Sequence, residues 1–333
     1  MLTMRRWSSS KEISHTPLTD AVKIAVGKPK KGLKQLRKAI KSHTDMNQRD
    51  AAGFTAMLHA ARFNLPRVIL QLAQAGASVN LRSDDGNTPF HYACYKEHWP
   101  AMAMLVRLGA DPDAVDSNGR TPLIRAIECQ DEKLVCRLLE LGASPQACGE
   151  NEVTPLFAAL SLTGAVPKSS NTSIVRRLLD AGCDVNTENK SGSSPLTFVC
   201  LHHRHNAELI EMLIQRGAAV NFKDTYGRTP LTHCLRTDID ERADSLTLLL
   251  RAGADPNVVD RDGHTSLSIW ALNLNSTLTY GHGTGRDHQR TLSQLLICGA
   301  NPNVVTNVTS PDYLMHTIVC LGRYNEARAL LAA

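Results

Sequence analysis

Asp116-Ser-Asn-Gly-Arg-Thr-Pro-Leu123 decides the fold, because it returns almost unaltered as Asp224-Thr-Tyr-Gly-Arg-Thr-Pro-Leu231 and in part as Gly86-Asn-Thr-Pro-Phe-His91. Threonine before proline suits a helix N-terminus: the hydroxyl accepts from a first-turn N–H, and proline fills a position whose own N–H has no helical partner. The spacing therefore predicts a helix beginning at each copy. Working outward, the threonine position falls at Thr16, Thr55, Thr88, Thr121, Thr154, Ser194, Thr229 and Thr265. A second marker, Leu-Leu-x-x-Gly-Ala in type, places a glycine at Gly76, Gly109, Gly142, Gly182, Gly217, Gly253 and Gly299. From Gly76 through Gly253 the next threonine position follows each glycine after twelve residues, a regularity that marks internal repeats.

Counting back eight, seven, four and three residues from each glycine gives mostly apolar positions: Leu134, Val135, Leu138, Leu139 in one unit and Ile174, Val175, Leu178, Leu179 in another. That is one buried stripe on a second helix. The glycine is placed to take the left-handed conformation that ends this helix, and the tract before the next threonine reads as a tight hairpin. A helix pair with one apolar stripe cannot bury it alone, so neighbouring units must stack.

These residues resemble the ankyrin repeat family, whose pattern is roughly DxxGxTPLHxAxxxGHxxIVxxLLxxGADVN, and the resemblance spans about residues 16–331. It implies an all-α solenoid of helix-turn-helix plus hairpin units. The layout is similar to the ankyrin region of ankyrin/SOCS-box proteins, with no SOCS box seen. The expected organisation is an N-terminal tail at 1–15, a basic degenerate capping repeat at 16–47, seven repeats at 48–303 and a degenerate or truncated repeat at 304–333. The last unit begins near Tyr313 and reaches Ala333 just where its Gly-Ala would fall, so either the cap ends there or the chain continues. Relative to the Thr121-to-Gly142 distance, one repeat adds seven residues around 161–171 and another thirteen around 273–290, both between the two helices.

In this family the hairpin tips and the exposed ends of the first helices line a concave face where partners bind. By register the tips include Arg49, Phe54, Arg82, Asp85, Arg120, Tyr226 and Arg228, and the helix ends Arg62, Phe63, Tyr95 and Lys96. Arginine and aromatic residues at exposed sites match the composition of binding hot spots. The expected ligand is a protein or peptide with an acidic segment and an apolar anchor, bound by a monomer with no chemistry of its own. Asp84, Asp85 and Glu128 make the field mixed, which favours protein over nucleic acid. The alternative is a substrate-recognition subunit of a cullin-type ubiquitin ligase whose SOCS box lies outside this chain. Asn80, Asn186, Asn221, Asn257 and Asn303 are expected as hairpin-stabilising residues, and the resemblance adds the alternative that they are also asparaginyl-hydroxylase sites, each with leucine eight residues earlier.

Bulk properties are compatible with this reading. Residues 1–41 hold eleven Lys or Arg against Glu12 and Asp20, leaving 26 basic and 30 acidic residues elsewhere, so a basic arm precedes a slightly acidic body. Nine cysteines without a Cys-x-x-Cys pair argue against a disulfide framework and for a reducing compartment, cytoplasm or nucleus. The N-terminus lacks a signal-peptide apolar region, and no stretch nears the ~18 apolar residues of a membrane span.

Other motifs carry little. Gly281-His-Gly-Thr-Gly-Arg286 lacks the strand and helix that would make it a phosphate loop, and Gly27-Lys-Pro-Lys-Lys-Gly32 has Leu33 where a P-loop needs lysine. His202, His203 and His205 near Cys200 lack a distant pair to close a metal site. No catalytic constellation stands out, so neither enzyme activity nor cofactor nor metal is expected. The basic run from Lys28 to Lys41 reads as a solvated helix face, an import signal or an anionic contact.

Overall fold

A computed structural model of the chain describes residues 16–42, 45–149, 152–162, 169–202, 207–236, 243–272 and 285–303. It divides into two compact units, Met1–Asn151 and Glu152–Ala333. The first holds α1 (Pro17–Gly27), α2 (Pro29–Lys41), α3 (Ala56–Arg62), α4 (Pro66–Gln74), α5 (Pro89–Tyr95), α6 (Trp99–Arg107), α7 (Pro122–Glu128) and α8 (Glu132–Glu140). The second holds α9 (Pro155–Ser161), α10 (Ser169–Asp180), α11 (Pro195–His202), α12 (Ala207–Gln215), α13 (Pro230–Arg236) and α14 (Ala243–Arg251). It continues with α15 (266–272) and α16 (Gly285–Ile297). No strand occurs among the described residues.

Each unit obeys the punctuation read from the sequence. The hydroxyls of Thr55, Thr88, Thr121 and Thr154 accept from the N–H three residues on, at 3.2–3.4 Å. Ser194, Thr229 and Thr265 do the same in the second unit, at 3.2–3.4 Å. At the other end, Gly76, Gly109, Gly142, Gly182, Gly217, Gly253 and Gly299 have φ of +82° to +93°. A Cβ at any of these glycines would meet nothing within 4 Å, so backbone conformation and not space demands glycine.

The stripe is buried at most of its positions: Leu134, Val135 and Leu138 are 9%, 0% and 0% exposed, and Ile174, Val175, Leu178 and Leu179 are all buried, whereas Leu139 is only half-buried. First helices stack on first helices, α3 on α5 and α11 on α13, while second helices stack on second, α4 on α6 and α12 on α14. Asparagine side chains staple successive turns. Asn80 donates to the Gly109 carbonyl (3.1 Å) and accepts from the Asp111 N–H (3.0 Å). Asn186, Asn221 and Asn257 make the same two bonds one repeat ahead, at 2.7–3.1 Å. Residues 163–168 of the first insertion, 273–284 of the second with Gly281 and Gly283, His203, His205, the tail 1–15 and residues 304–333 lie outside the described residues.

Candidate protein-binding face

The hairpin of the deciding stretch is built by one carboxylate. Asp116 Oδ1 accepts from the N–H groups of Asn118 (2.8 Å) and Arg120 (3.0 Å), which closes the tip around Gly119. Asp50, Asn189 and Asp224 fold their own tips by the same pair of bonds. Burial would raise the Asp116 and Asp50 carboxyls, but backbone N–H donors and the nearby Arg120 carry Asp116, and the His59 hydrogen bond with backbone N–H donors carries Asp50, below the usual carboxylate range. They are ionised anchors, not proton donors, at neutral pH.

The arginines at the tips then tie one hairpin to the next. Arg49 donates to the Arg82 carbonyl (2.6 Å) and to Asp84 (3.0 Å), and Arg82 donates to the Val115 carbonyl (2.7 Å) and the Gly86 carbonyl (3.3 Å). Arg120 turns to Glu128 (2.9 Å). In the second unit Arg228 donates to Asp262 (2.7 Å), lies 3.7 Å from Asp260, and stacks on the exposed Tyr226 ring at 4.9 Å. These guanidiniums are held in fixed positions, whereas Asp85 stays exposed with its backbone carbonyl bonded by Asn87.

The ends of the first helices form a row in the first unit. Arg62 and Phe63, Tyr95 and Lys96, Glu128 and Cys129 occupy the same two positions of α3, α5 and α7. Phe63 is 36% exposed, and Lys96 is exposed too. The Arg62 guanidinium lies 5.7 Å from the Phe54 ring centre and 6.0 Å from that of Phe63. Phe54 departs from expectation: at 4% exposure it faces inward, its ring 5.2 Å from both His59 and Tyr92, so it supports the face from beneath. Tyr95 is half-buried, its hydroxyl donating to Asn87 Oδ1 at 2.9 Å, and burial pushes its phenol well above the usual range.

One participant was not singled out from the sequence. Arg125 spreads its guanidinium over the Tyr95 ring at 4.1 Å and stands 3.7 Å from Asp116 Oδ2. The signal available was a lone cation four residues into an otherwise apolar first helix. Beside it a cleft of about 230 Å³ opens between the end of α5 and α7–α8, bordered by Tyr95, Glu97, Arg125, Cys129 and Asp131. Among the described residues no group of three or more His, Cys, Asp or Glu could hold a metal ion, and no helix is long and apolar enough to cross a membrane. The buried thiols of Cys94 and Cys200 are pushed far up by desolvation and that of Cys183 to about 11, so they act as small core residues.

The family model described as ankyrin repeats matches three times, at residues 20–116, 58–148 and 162–260. Among solved structures, the ankyrin repeat domain of Bcl-3 aligns over 72% of this chain and 99% of its own, at 22% identity and a TM-score of 0.54. An ankyrin repeat domain from Acinetobacter baumannii aligns over 60% of this chain and 98% of its own, at 27% identity and a TM-score of 0.50. The human ASB11 ankyrin repeat domain aligns over 72% of this chain and 98% of its own, at 22% identity and a TM-score of 0.47. No curated protein matches.

Proposed function

The chain belongs to the ankyrin repeat family, and from that premise we propose that it is a non-catalytic module binding a protein or peptide through the row formed by the ends of α3, α5 and α7. The observation that carries this reading is the row itself: exposed Phe63 and Lys96 stand on a rigid base of Phe54, Tyr95 and Arg125, next to a cleft wide enough for one side chain. Rigid aromatic support with a few exposed cations is how hot spots are presented at low entropic cost. The ligand is an acidic segment with an apolar anchor: Arg62, Lys96 and the tip arginines Arg49 and Arg82 draw carboxylates, and the cleft takes the anchor.

The geometry changes which substitutions test the idea. Tyr95→Ala would remove the ring under Arg125 and the bond to Asn87, and Arg82→Glu would break two links to neighbouring carbonyls. Both would disturb folding as well as binding. Phe63→Ala and Lys96→Glu act on exposed atoms. Peptides selected from a random displayed library on the whole chain should be enriched in Asp or Glu around one large apolar residue. Selection of neutral or basic peptides would sink the proposal.

The same premise leads us to propose asparaginyl hydroxylation at Asn80, Asn186, Asn221, Asn257 and Asn303. In the first four, both ends of the amide are engaged, which leaves the Cβ as the atom for modification; Asn80, Asn186 and Asn221 are exposed and Asn257 half-buried. Peptide mass spectrometry after incubation with such an enzyme should show the gain of one oxygen; no gain at any of the five would remove the idea.

A further inference from the structure

The outer face of α2 carries six exposed cations and no carboxylate. Several arginines elsewhere are matched by carboxylates: Arg49 with Asp84 (3.0 Å), Arg120 with Glu128 (2.9 Å), Arg137 with Glu140 (2.8 Å), Arg176 with Glu208 (3.2 Å) and Arg228 with Asp262 (2.7 Å). On α2, Lys30, Lys31, Lys34, Arg37 and Lys38 are all exposed and have no acidic partner among the described residues. Lys28 precedes them, and the sequence holds no Asp or Glu between Asp20 and Asp45.

The helix carries this charge against its own interest. Its N-cap is Lys28, which makes no side-chain capping bond, and its first turn has no acidic residue. Lys30 and Lys31 sit there instead, at the positive end of the helix dipole. Like charges also face one another four residues apart, at Lys30 and Lys34 and at Lys34 and Lys38. A capping helix needs only an apolar inner face, which Gly32, Leu36 and Ala39 provide. A Cβ at Gly32 would lie 2.4 Å from the Ala25 backbone, so α2 is locked against α1 and its rotation is fixed. Lys30, Lys34 and Lys38 therefore present one line, with about 6 Å between successive charges by helical rise.

We propose that this line docks an acidic helical segment of a partner protein, with carboxylates recurring every three or four residues opposite the lysines. A line of fixed charges with a helical period matches carboxylates on a second helix, as facing charged rows do between paired helices. The exposed positions of α2 hold no aromatic side chain on which a base could stack, and only one arginine for bidentate phosphate contact. A bilayer offers laterally mobile charge that needs no period, and the exposed positions of α2 hold no large apolar side chain to insert into lipid, Leu36 being buried and Leu33 and Ile40 half-buried. This surface lies on a different helix from the α3–α7 row, and its test is independent of that reading.

The probe is a labelled alanine-based helical peptide with glutamate at every fourth position, beside one of equal composition with the glutamates spread around the helix. Both are titrated into the full chain at about 0.15 M salt, where charges further apart than ~8 Å are largely screened. The periodic peptide should bind, the spread one several-fold more weakly. The combined variant Lys34→Glu, Arg37→Glu, Lys38→Glu should lower affinity at least tenfold, while Lys133→Gln on the exposed side of α8 leaves it unchanged. If charge reversal perturbs the fold by circular dichroism, Lys30→Gln, Lys34→Gln, Lys38→Gln replaces it, with at least a fivefold loss expected. Equal affinity for the two peptides, or binding indifferent to both sets of variants, would overturn the proposal. So would tighter binding of duplex DNA, or of phosphatidylserine vesicles, than of the periodic peptide through the same residues.

Discussion

The two compact units use one set of backbone signals and two different sets of exposed side chains. In Met1–Asn151 the first helices carry a chain of rings, from Phe63 through His59 and Phe54 to Tyr92 and Tyr95, with centroids 5.2–6.2 Å apart and Arg62 and Arg125 over its ends. In Glu152–Ala333 the corresponding ring cluster is Phe157, Phe198 and His202. The caps, left-handed glycines and Asx-type tips are nevertheless the same in both. Architecture here rests on groups that satisfy the backbone, which leaves the ends of the first helices free to vary, and the first unit fills them with more aromatic rings.

The largest expected effect concerns what the units share. Leu123 and Leu231 occupy equivalent core positions and are both 0% exposed. Leu123→Asp and Leu231→Asp should each destabilise the surrounding helices by several kcal/mol, since the carboxylate would be buried with no partner. Hydrogen exchange across α7–α8 and α13–α14 measures this, and protection equal to that of the parent would mean the repeat register is wrong.

Acid should separate the units. Burial brings His91 down to about 4 and also lowers His59 in the first unit and His233 in the second, despite the Asp50 and Asp224 partners of the latter two. A histidine with a depressed folded pKa contributes stability that is complete above the unfolded value of about 6.5 and is lost as pH falls toward the folded one. For His91 that window runs from pH ~6.5 to ~4 and amounts to on the order of 3 kcal/mol. The first unit, with two such histidines, should lose more stability across it. His91→Gln should flatten the dependence in a series of urea midpoints, and an unchanged slope would contradict the assignment.

A smaller and symmetric loss is expected from the asparagine staples. Asn80→Ala and Asn221→Ala each remove two bonds to the next repeat and should cost about 1–3 kcal/mol. Midpoints that differ by more than this range between the two would show that the units do not share the device equally. Smallest of all, Glu97 holds a left-handed φ of +51° in the turn between α5 and α6. Glu97→Gly should stabilise by no more than about 1 kcal/mol, as relief of strain is partly offset by unfolded-chain entropy. A clear fall in melting temperature would show that the Glu97 side chain contributes to the turn.

The repeat architecture was legible because its signals are local. A threonine three residues before the N–H it caps, or a glycine ending a helix, can be read without knowing what lies across the fold. The candidate face was legible only by position. Nothing near Arg82 in sequence announces that its guanidinium meets the carbonyl of Val115, thirty-three residues on. Phe54 looked like a tip residue, yet the Asp50 carboxylate draws its N–H into the turn and the ring packs on His59 and Tyr92. Tyr95 looked free, and becomes a strut only because Arg125 and Asn87 come from neighbouring segments. Such roles depend on contacts between repeats, which a single-repeat pattern does not contain.

The most direct test of the binding account sets the two units against each other with one ligand. An acidic peptide selected on the whole chain is titrated into the parent, into Phe63→Ala and into Tyr226→Ala, whose ring is 57% exposed in the second unit. The account predicts that Phe63→Ala weakens binding by about tenfold or more, near 1.4 kcal/mol, with an unchanged melting temperature, and that Tyr226→Ala binds as the parent does. Undiminished binding by Phe63→Ala, or a loss confined to Tyr226→Ala, would contradict it.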